Sequence, residues 1–429
     1  MPQTDDELEL LCVRAVNRPE TLSETERKRI LEAVGTGTEL DIVHTLTSLA
    51  EHDPSVIDEI VIHLKSLLRV DDDLKRGEAT LVFATLARRH PERITAVATE
   101  AVELLTDESA AVRNQAVQLL ARLVGVNPDL AVPAASYVAR FVGSNAPILR
   151  LSGLEIVHAI ARTEPEQATA LVTDLVDIVD ESTEQSDDEQ INNAIKEPFR
   201  GRGARTKRRQ DNVEWQREQA RARAAQTLAV LAQERPEALM TTTSQLAAVL
   251  ESDDHPIVLG ELADAIVAVA REHNMAGREV IDPLGMALGR LKDKETNARI
   301  AVALSVLADR HGAAVTESVR PSLPTVFELL RADRPAIRGA TMSLLVVVSN
   351  YQPDAVKSVL ETIRGLFADQ NPVVRGGAAW VLSAAGTPDD RDLLISLREN
   401  DSNADVREAA DQALAEINDR IDENATDSP

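Results

Sequence analysis

Prolines break this chain at a fixed interval. Pro54, Pro91, Pro128 and Pro165 stand 37 residues apart, and each is followed by a polar or acidic residue: Ser55, Glu92, Asp129 and Glu166. The pair returns at Pro236-Glu237 and Pro353-Asp354, with an earlier copy at Pro19-Glu20. Proline suits the first position of a helix, where its missing N–H costs nothing, and a carboxylate beside it suits the positive helix end. Each pair therefore marks one helix ending and another beginning. A constant period of this length belongs to a chain built by stacking one helical unit.

A second marker precedes these prolines by 15 residues, at Arg76, Arg113, Arg150, Arg221 and Arg338. Arg299, Arg375 and Arg407 continue the series where the proline has drifted, and the copy around Gly260 lacks the arginine. Three residues after the marker stand Ala79, Ala116, Gly153, Ala224, Ala263, Val302, Thr341, Ala378 and Ala410. Seven after it stand Phe83, Leu120, Val157, Leu228, Val267, Val306, Leu345, Leu382 and Leu414. These positions are i and i+4 of a helix and share a face. The small one lets a neighbouring helix approach, and the large one fills the core. In the best-formed copy, Arg93 to Thr106 reads as the first helix, Asp107 to Ala110 as the turn and Ala111 to Gly125 as the second helix. Neither helix buries its apolar stripe alone, and stacking supplies the cover.

The turn carries an Asp six residues before an Arg that follows an aliphatic residue. It stands as Asp107…Val112-Arg113, Asp293…Ala298-Arg299, Asp369…Val374-Arg375 and Asp401…Val406-Arg407, with Asp254 in the arginine-less copy. A helical hairpin with this signature resembles the HEAT repeat, over roughly residues 36 to 418. The resemblance implies an all-α, right-handed α-solenoid of about ten hairpins. It also implies that Asp107, Arg113, Asp293, Arg299, Asp369, Arg375, Asp401 and Arg407 form a structural ladder between adjacent turns. The local chemistry agrees, because Asp caps helices and the planar Arg fork reaches carbonyls or carboxylates next door. Function is not implied, since such arrays serve unrelated partners.

Composition narrows the rest. Hydrophobic residues are 44% of the chain but aromatics only 2%, which suits closely packed helices and argues against an all-β fold. The single Cys12 excludes an internal disulfide and a cysteine zinc cluster. No apolar run approaches the ~18 residues a membrane span needs, and the acidic start MPQTDDELELL gives no export signal, so a cytoplasmic protein is expected. Net charge is −25, with only 8 Lys among the 46 basic residues. High acidity with scarce lysine resembles the proteins of salt-in halophilic archaea, whose molar salt screens self-repulsion.

Residues 1–52 are expected to form an N-terminal helical cap, with capping boxes at Thr4-x-x-Glu7 and Ser23-x-x-Glu26. Repeats follow over 53–180 and 215–419, and a disordered polar tail is expected over 420–429. The interval from Pro165 to Pro236 is 71 residues rather than 37, which places a charged insertion at 181–214. Six acidic residues fall between Asp180 and Glu189, and six basic ones follow: Arg200, Arg202, Arg205, Lys207, Arg208 and Arg209. With Gly201 and Gly203 inside it, the basic half reads as a mobile arm for an anion, or as a strand of charge folded onto the protein's own acidic surface. Trp215 could stack on a base or anchor the following helix. Five residues after the marker the copies vary (Leu81, Gln118, Glu155, Gln226, Ala265, Leu304, Ser343, Trp380, Gln412), as an exposed position does. There Trp380 is a candidate partner anchor, or the filler of a gap.

No phosphate-cradling glycine motif, nucleophile elbow or metal-ligand spacing is present, so no cofactor and no catalytic residue is expected. HEAT-like lyases and DNA glycosylases exist, but two Trp in an acidic chain fit the glycosylase pattern poorly. The expected function is a non-enzymatic scaffold holding protein partners. A nucleic-acid or chromosome-associated factor that grips phosphates with residues 200–209 is the alternative.

Overall fold

The computed structural model describes residues 2–37, 41–181, 203–272 and 278–426, with side chains over 6–37, 41–181, 212–272 and 278–419. Among the described residues there are helices and turns and no strand. The fold is an all-α solenoid. Its chain divides into two compact units, Met1–Asp174 with Asp187–Thr227 and Leu175–Ser186 with Leu228–Pro429.

In the first unit, Pro2–Asn17 and Glu24–Glu32 precede the long helices Asp73–Leu86, Ala110–Leu123 and Pro147–Thr163. Ser23 forms its capping box: Glu26 N–H donates to the Ser23 hydroxyl at 3.3 Å, and Ser23 N–H donates to Glu26 Oε2 at 2.8 Å. The first helix starts at Pro2, so Thr4 lies within its first turn rather than ahead of it. Proline at the first position had made that earlier start available. Gly35 is fixed by geometry: its φ is +76°, and a Cβ there would lie 2.6 Å from the Lys75 Cα.

In the second unit the pairs are Thr243–Ser252 with Pro256–Glu272, Arg278–Arg290 with Lys294–Val319, and Leu323–Leu329 with Pro335–Tyr351. Leu360–Gly365 with Pro372–Ala385, and Arg391–Asn400 with Ala404–Thr426, complete it. Lys294–Val319 bends at His311 (φ −127°, ψ 30°). This is where other copies place the helix-starting proline. The last helix runs to Thr426, with no Gly or Pro inside it.

The first helices differ from their sequence reading. Instead of one helix from Arg93 to Thr106, the chain forms Pro91–Ile94, the 3₁₀ turn Thr95–Val97, Ala98–Glu103 and the 3₁₀ turn Leu104–Thr106. Short α and 3₁₀ stretches also alternate after Pro165 and after Pro353, in three pieces each. Buried residues Ile94, Val97, Ala98, Ala101, Leu104 and Leu105 keep one face inward throughout. Over so short a stretch, apolar spacing does not separate 3.0 from 3.6 residues per turn.

The second helices share a burial pattern that can be counted from the marker. Around Arg221, the buried residues include Ala220, Ala222, Ala224, Ala225, Thr227, Leu228, Leu231 and Ala232. The small position admits a neighbour: a Cβ added to Gly153 would meet the Phe141 carbonyl carbon at 3.1 Å and Val142 N at 3.0 Å. Two copies do not fit the sequence alignment. Val302 and Val306 are only half-buried, whereas Ile300, Ala301, Ala303, Leu304 and Leu307 are fully covered. The pattern fits when Asn297, not Arg299, is the marker. Likewise Leu259, not Gly260, anchors the preceding copy, with Val258, Gly260, Leu262, Ala263, Ala265, Ile266, Val269 and Ala270 buried. The visible arginine had drawn the sequence reading two residues out of register, and absence of an arginine had drawn the other by one.

Candidate functional site

The Asp–Arg signature becomes a polar seam at the turns. Arg76 donates from Nε to Asp107 Oδ2 at 2.7 Å and from a terminal nitrogen to Oδ1 at 3.1 Å. Arg338 donates to Asp369 at 2.6 Å, and Arg375 donates to both oxygens of Asp401 at 2.6 and 2.8 Å. Each Asp is therefore gripped by the arginine of the preceding copy. Within its own copy, every such arginine donates to the carbonyl six residues earlier. Arg113 donates to Asp107 O at 2.6 Å, Arg375 to Asp369 O at 2.7 Å and Arg407 to Asp401 O at 2.8 Å. Each Asp also accepts the N–H two residues on, at 2.8 Å from Ser109, Asn371 and Asn403.

This wiring holds the carboxyls ionised. Burial would raise Asp107 and Asp369, but the guanidinium in front of each and the backbone N–H at its side bring both below the ordinary range. Asp401 is lowered chiefly by its hydrogen bond to Arg375.

The pairing of Asp293 with Arg299 does not form. Asp293 caps its helix, accepting Thr296 N–H at 2.7 Å. The marker's role passes to Asn297, whose amide donates to Leu291 O at 3.0 Å, again six residues back. Arg299 turns to the other side and meets Asp264 at 2.6 Å and Glu261 at 3.1 Å. In the copy before, the ladder carboxylate is Asp253 rather than Asp254: it is buried and accepts His255 N–H at 2.7 Å. Leu259 brings no guanidinium, and Arg290 enters from the next helix to donate to Leu250 O at 2.9 Å and Glu251 O at 2.7 Å.

The corrected register also repairs the water-facing row. Ala265 and Leu304, taken as exposed from sequence, are fully buried. Their places five residues after the marker belong to Asp264 and Val302, both half-exposed. The row then reads Leu81, Gln118, Glu155, Gln226, Asp264, Val302, Ser343, Trp380 and Gln412, all accessible in some degree. Neighbouring copies are tied along it by Arg223, which donates to Glu155 at 3.0 Å, and by Arg299 on Asp264. Trp380 is half-buried in this row, seated on Pro372–Ala385.

Gly203–Glu234 is a single helix of 32 residues, about 48 Å long at 1.5 Å per residue. It extends the second helix of its copy back to Gly203, within the basic half of the insertion. Arg200 and Arg202 lie outside the described residues. Arg205, Lys207, Arg208 and Arg209 lie on helical backbone, and their side chains lie outside the described set. After Gly203 nothing in the sequence breaks a helix before Pro236. Of the acidic half, Asp180 and Glu181 are described, and 182–189 are outside. Trp215 projects from this helix, 52% exposed, six residues before Arg221 where other copies have their turn.

Among the described residues no group of three or more His, Cys, Asp or Glu is placed to hold a metal ion, and no helix is long and apolar enough to cross a membrane.

Repeated helix pairs with an internal Arg–Asp seam define an α-solenoid. Residues 323–415 match the family model described as HEAT repeats, a span that holds the Arg338–Asp369 and Arg375–Asp401 pairs. No curated protein matches the chain. Among solved structures it is similar to an engineered protein from a structural genomics consortium, with a TM-score of 0.63 at 17% identity over 96% of this chain and 98% of that one. That likeness concerns the fold alone.

Proposed function

We propose that the chain is a non-enzymatic scaffold that holds a protein partner on the water-facing side of the second helices between Asn297 and Ala385. The observation that carries this is the chemistry of the exposed row there. At two, five and nine residues after the markers stand Val302, Val306, Ala340, Ser343, Val347, Gly377, Trp380 and Ala384, all partly accessible, with Arg299 as the one charged member. Arg299 is already met by Asp264 and Glu261. In a chain that is 27% charged, an accessible face of this extent without free charge is what a protein partner covers, with the indole as its anchor. The same reading includes a molar-salt cytoplasm, in which 71 acidic residues keep the chain soluble.

A second reading has its own support. Arg205 to Arg209 on a helix continuous with exposed Trp215 is the combination of charge and stacking surface that single-stranded nucleic acid uses. One experiment separates the two: affinity capture at native salt with nuclease, comparing wild type, Ser343→Asp and a deletion of residues 199–210. A defined protein set that survives nuclease and is lost with Ser343→Asp supports the scaffold. Recovery that depends on intact nucleic acid and is lost only with the deletion overturns it.

A further inference from the structure

We infer that the first helix, Pro2–Asn17, docks against the same helix of a second copy of this chain, antiparallel and across a two-fold axis at Val13. The inference stands apart from the scaffold reading and concerns another face of the molecule.

This helix is apolar on two sides. Leu11, Cys12 and Ala15 are buried, on the side packed against Ile42–His52. On the other side Leu10, Val13 and Val16 are 60%, 51% and 40% exposed. Spaced three apart, they fall in one stripe. Elsewhere among the described residues a helix exposes at most one large apolar side chain, or two in Asp73–Leu86. A helix apolar on opposite sides belongs under cover on both. The last helix, Ala404–Thr426, shows the contrast, turning Asp405, Glu408, Asp411 and Gln412 to water. A stacked array needs such a polar outer face to stay in solution, and Pro2–Asn17 does not supply one.

Two features select a second copy as the cover. The first is spacing, because Leu10, Val13 and Val16 are symmetric about Val13. An antiparallel copy sets Leu10 against Val16, Val16 against Leu10 and Val13 against itself, as an isologous contact requires. The second is charge. Asp6 and Glu9 are exposed in the first half of the helix, and Arg18 is exposed just past its end. Antiparallel pairing brings Arg18 of each copy beside Glu9 of the other, whereas parallel pairing sets like charges together. The helix is about 24 Å long at 1.5 Å per residue. A single seam of that length falls short of the ~800 Å² per partner of a standard interface, so the dimer is weak and concentration decides its population.

The test is sedimentation equilibrium of the full chain over a wide concentration range, in about 0.15 M salt, where charges beyond ~8 Å are screened. The mass is expected to rise from that of one copy toward that of two. V13E puts two carboxylates on the axis and should weaken association tenfold or more. Val13 is half exposed, so V13E keeps the fold, which unchanged helical circular dichroism checks. E9R and R18E should each weaken association by about threefold, and E9R/R18E should restore it. V373E, at an exposed apolar position on Pro372–Ala385, should leave it unchanged. A chain that stays monomeric throughout overturns the inference, and so does V13E associating as wild type does. Failure of E9R/R18E to recover overturns it as well. A different protein captured by the wild type and lost with V13E, while the purified chain is monomeric, gives the stripe to that protein and not to a second copy.

Discussion

The copy anchored at Arg338 and the copy anchored at Asn297 bury the same positions of their second helices but are wired differently. In the first, Ile337, Thr341, Met342, Leu344, Leu345 and Val348 face the core while Arg338 reaches Asp369 of the next copy. In the second, Thr296, Ile300, Ala301, Ala303, Leu304 and Leu307 face the core, and Asn297 reaches only its own turn. Its Oδ1 is buried without a hydrogen-bond partner among the described residues. The lateral tie has moved to the water-facing side, where Arg299 meets Asp264. Packing therefore sets the register, and the polar seam is an addition that a copy can lose. Hydrophobic cover scales with area and tolerates no slip of face, whereas a carbonyl needs only some donor in reach.

Local amide hydrogen exchange is the measurement suited to that comparison, because a stacked array opens copy by copy. The largest effects are expected from Leu304→Ala and Leu345→Ala, which occupy the same buried place in the two copies. Each should cost about 3 kcal/mol locally. A small effect of Leu304→Ala alone would show that the copy lacking the seam is loosely packed, and the equivalence would break.

Asp369→Asn comes next. It leaves the mostly covered Arg338 facing a neutral amide, at a cost of roughly 3 kcal/mol, while Asn297→Ala should cost about 1 kcal/mol. Equal losses would mean that the seam adds nothing beyond one backbone contact. The acid dependence of the Arg338 copy sharpens the point. Asp369 and Asp401 have folded values below their unfolded ones, so their contribution is complete above about pH 4 and is lost as pH falls through the folded values. Exchange protection around 338–407 should drop across that window, and less steeply in Asp369→Asn/Asp401→Asn; parallel curves would remove the carboxylates from the account. The smallest change is expected from Arg299→Gln, whose pair with Asp264 is open to solvent and worth about 0.5 kcal/mol. A loss of several kcal/mol there would make the water-facing tie the real support of that copy.

Where burial and marker coincide, the sequence was legible. Ala79, Ala116, Ala224 and Ala378, with Phe83, Leu120, Leu228 and Leu382, all reach the core face assigned to them from spacing alone. The Asn297 and Leu259 copies were misread because arginine was used as the ruler, and a shift of one or two residues leaves an apolar helix of Ala, Val and Leu nearly self-similar.

Sequence by itself determined the helical hairpin, its period and its inward face, because proline, small residues and apolar spacing act over a few turns of one chain. The tertiary structure decided which carboxylate each arginine grips, since the partner lies 31 residues away for Arg76 and 26 for Arg375. It also decided which row faces water. Exposure is a property of the neighbour that covers a residue, and no single helix contains that information.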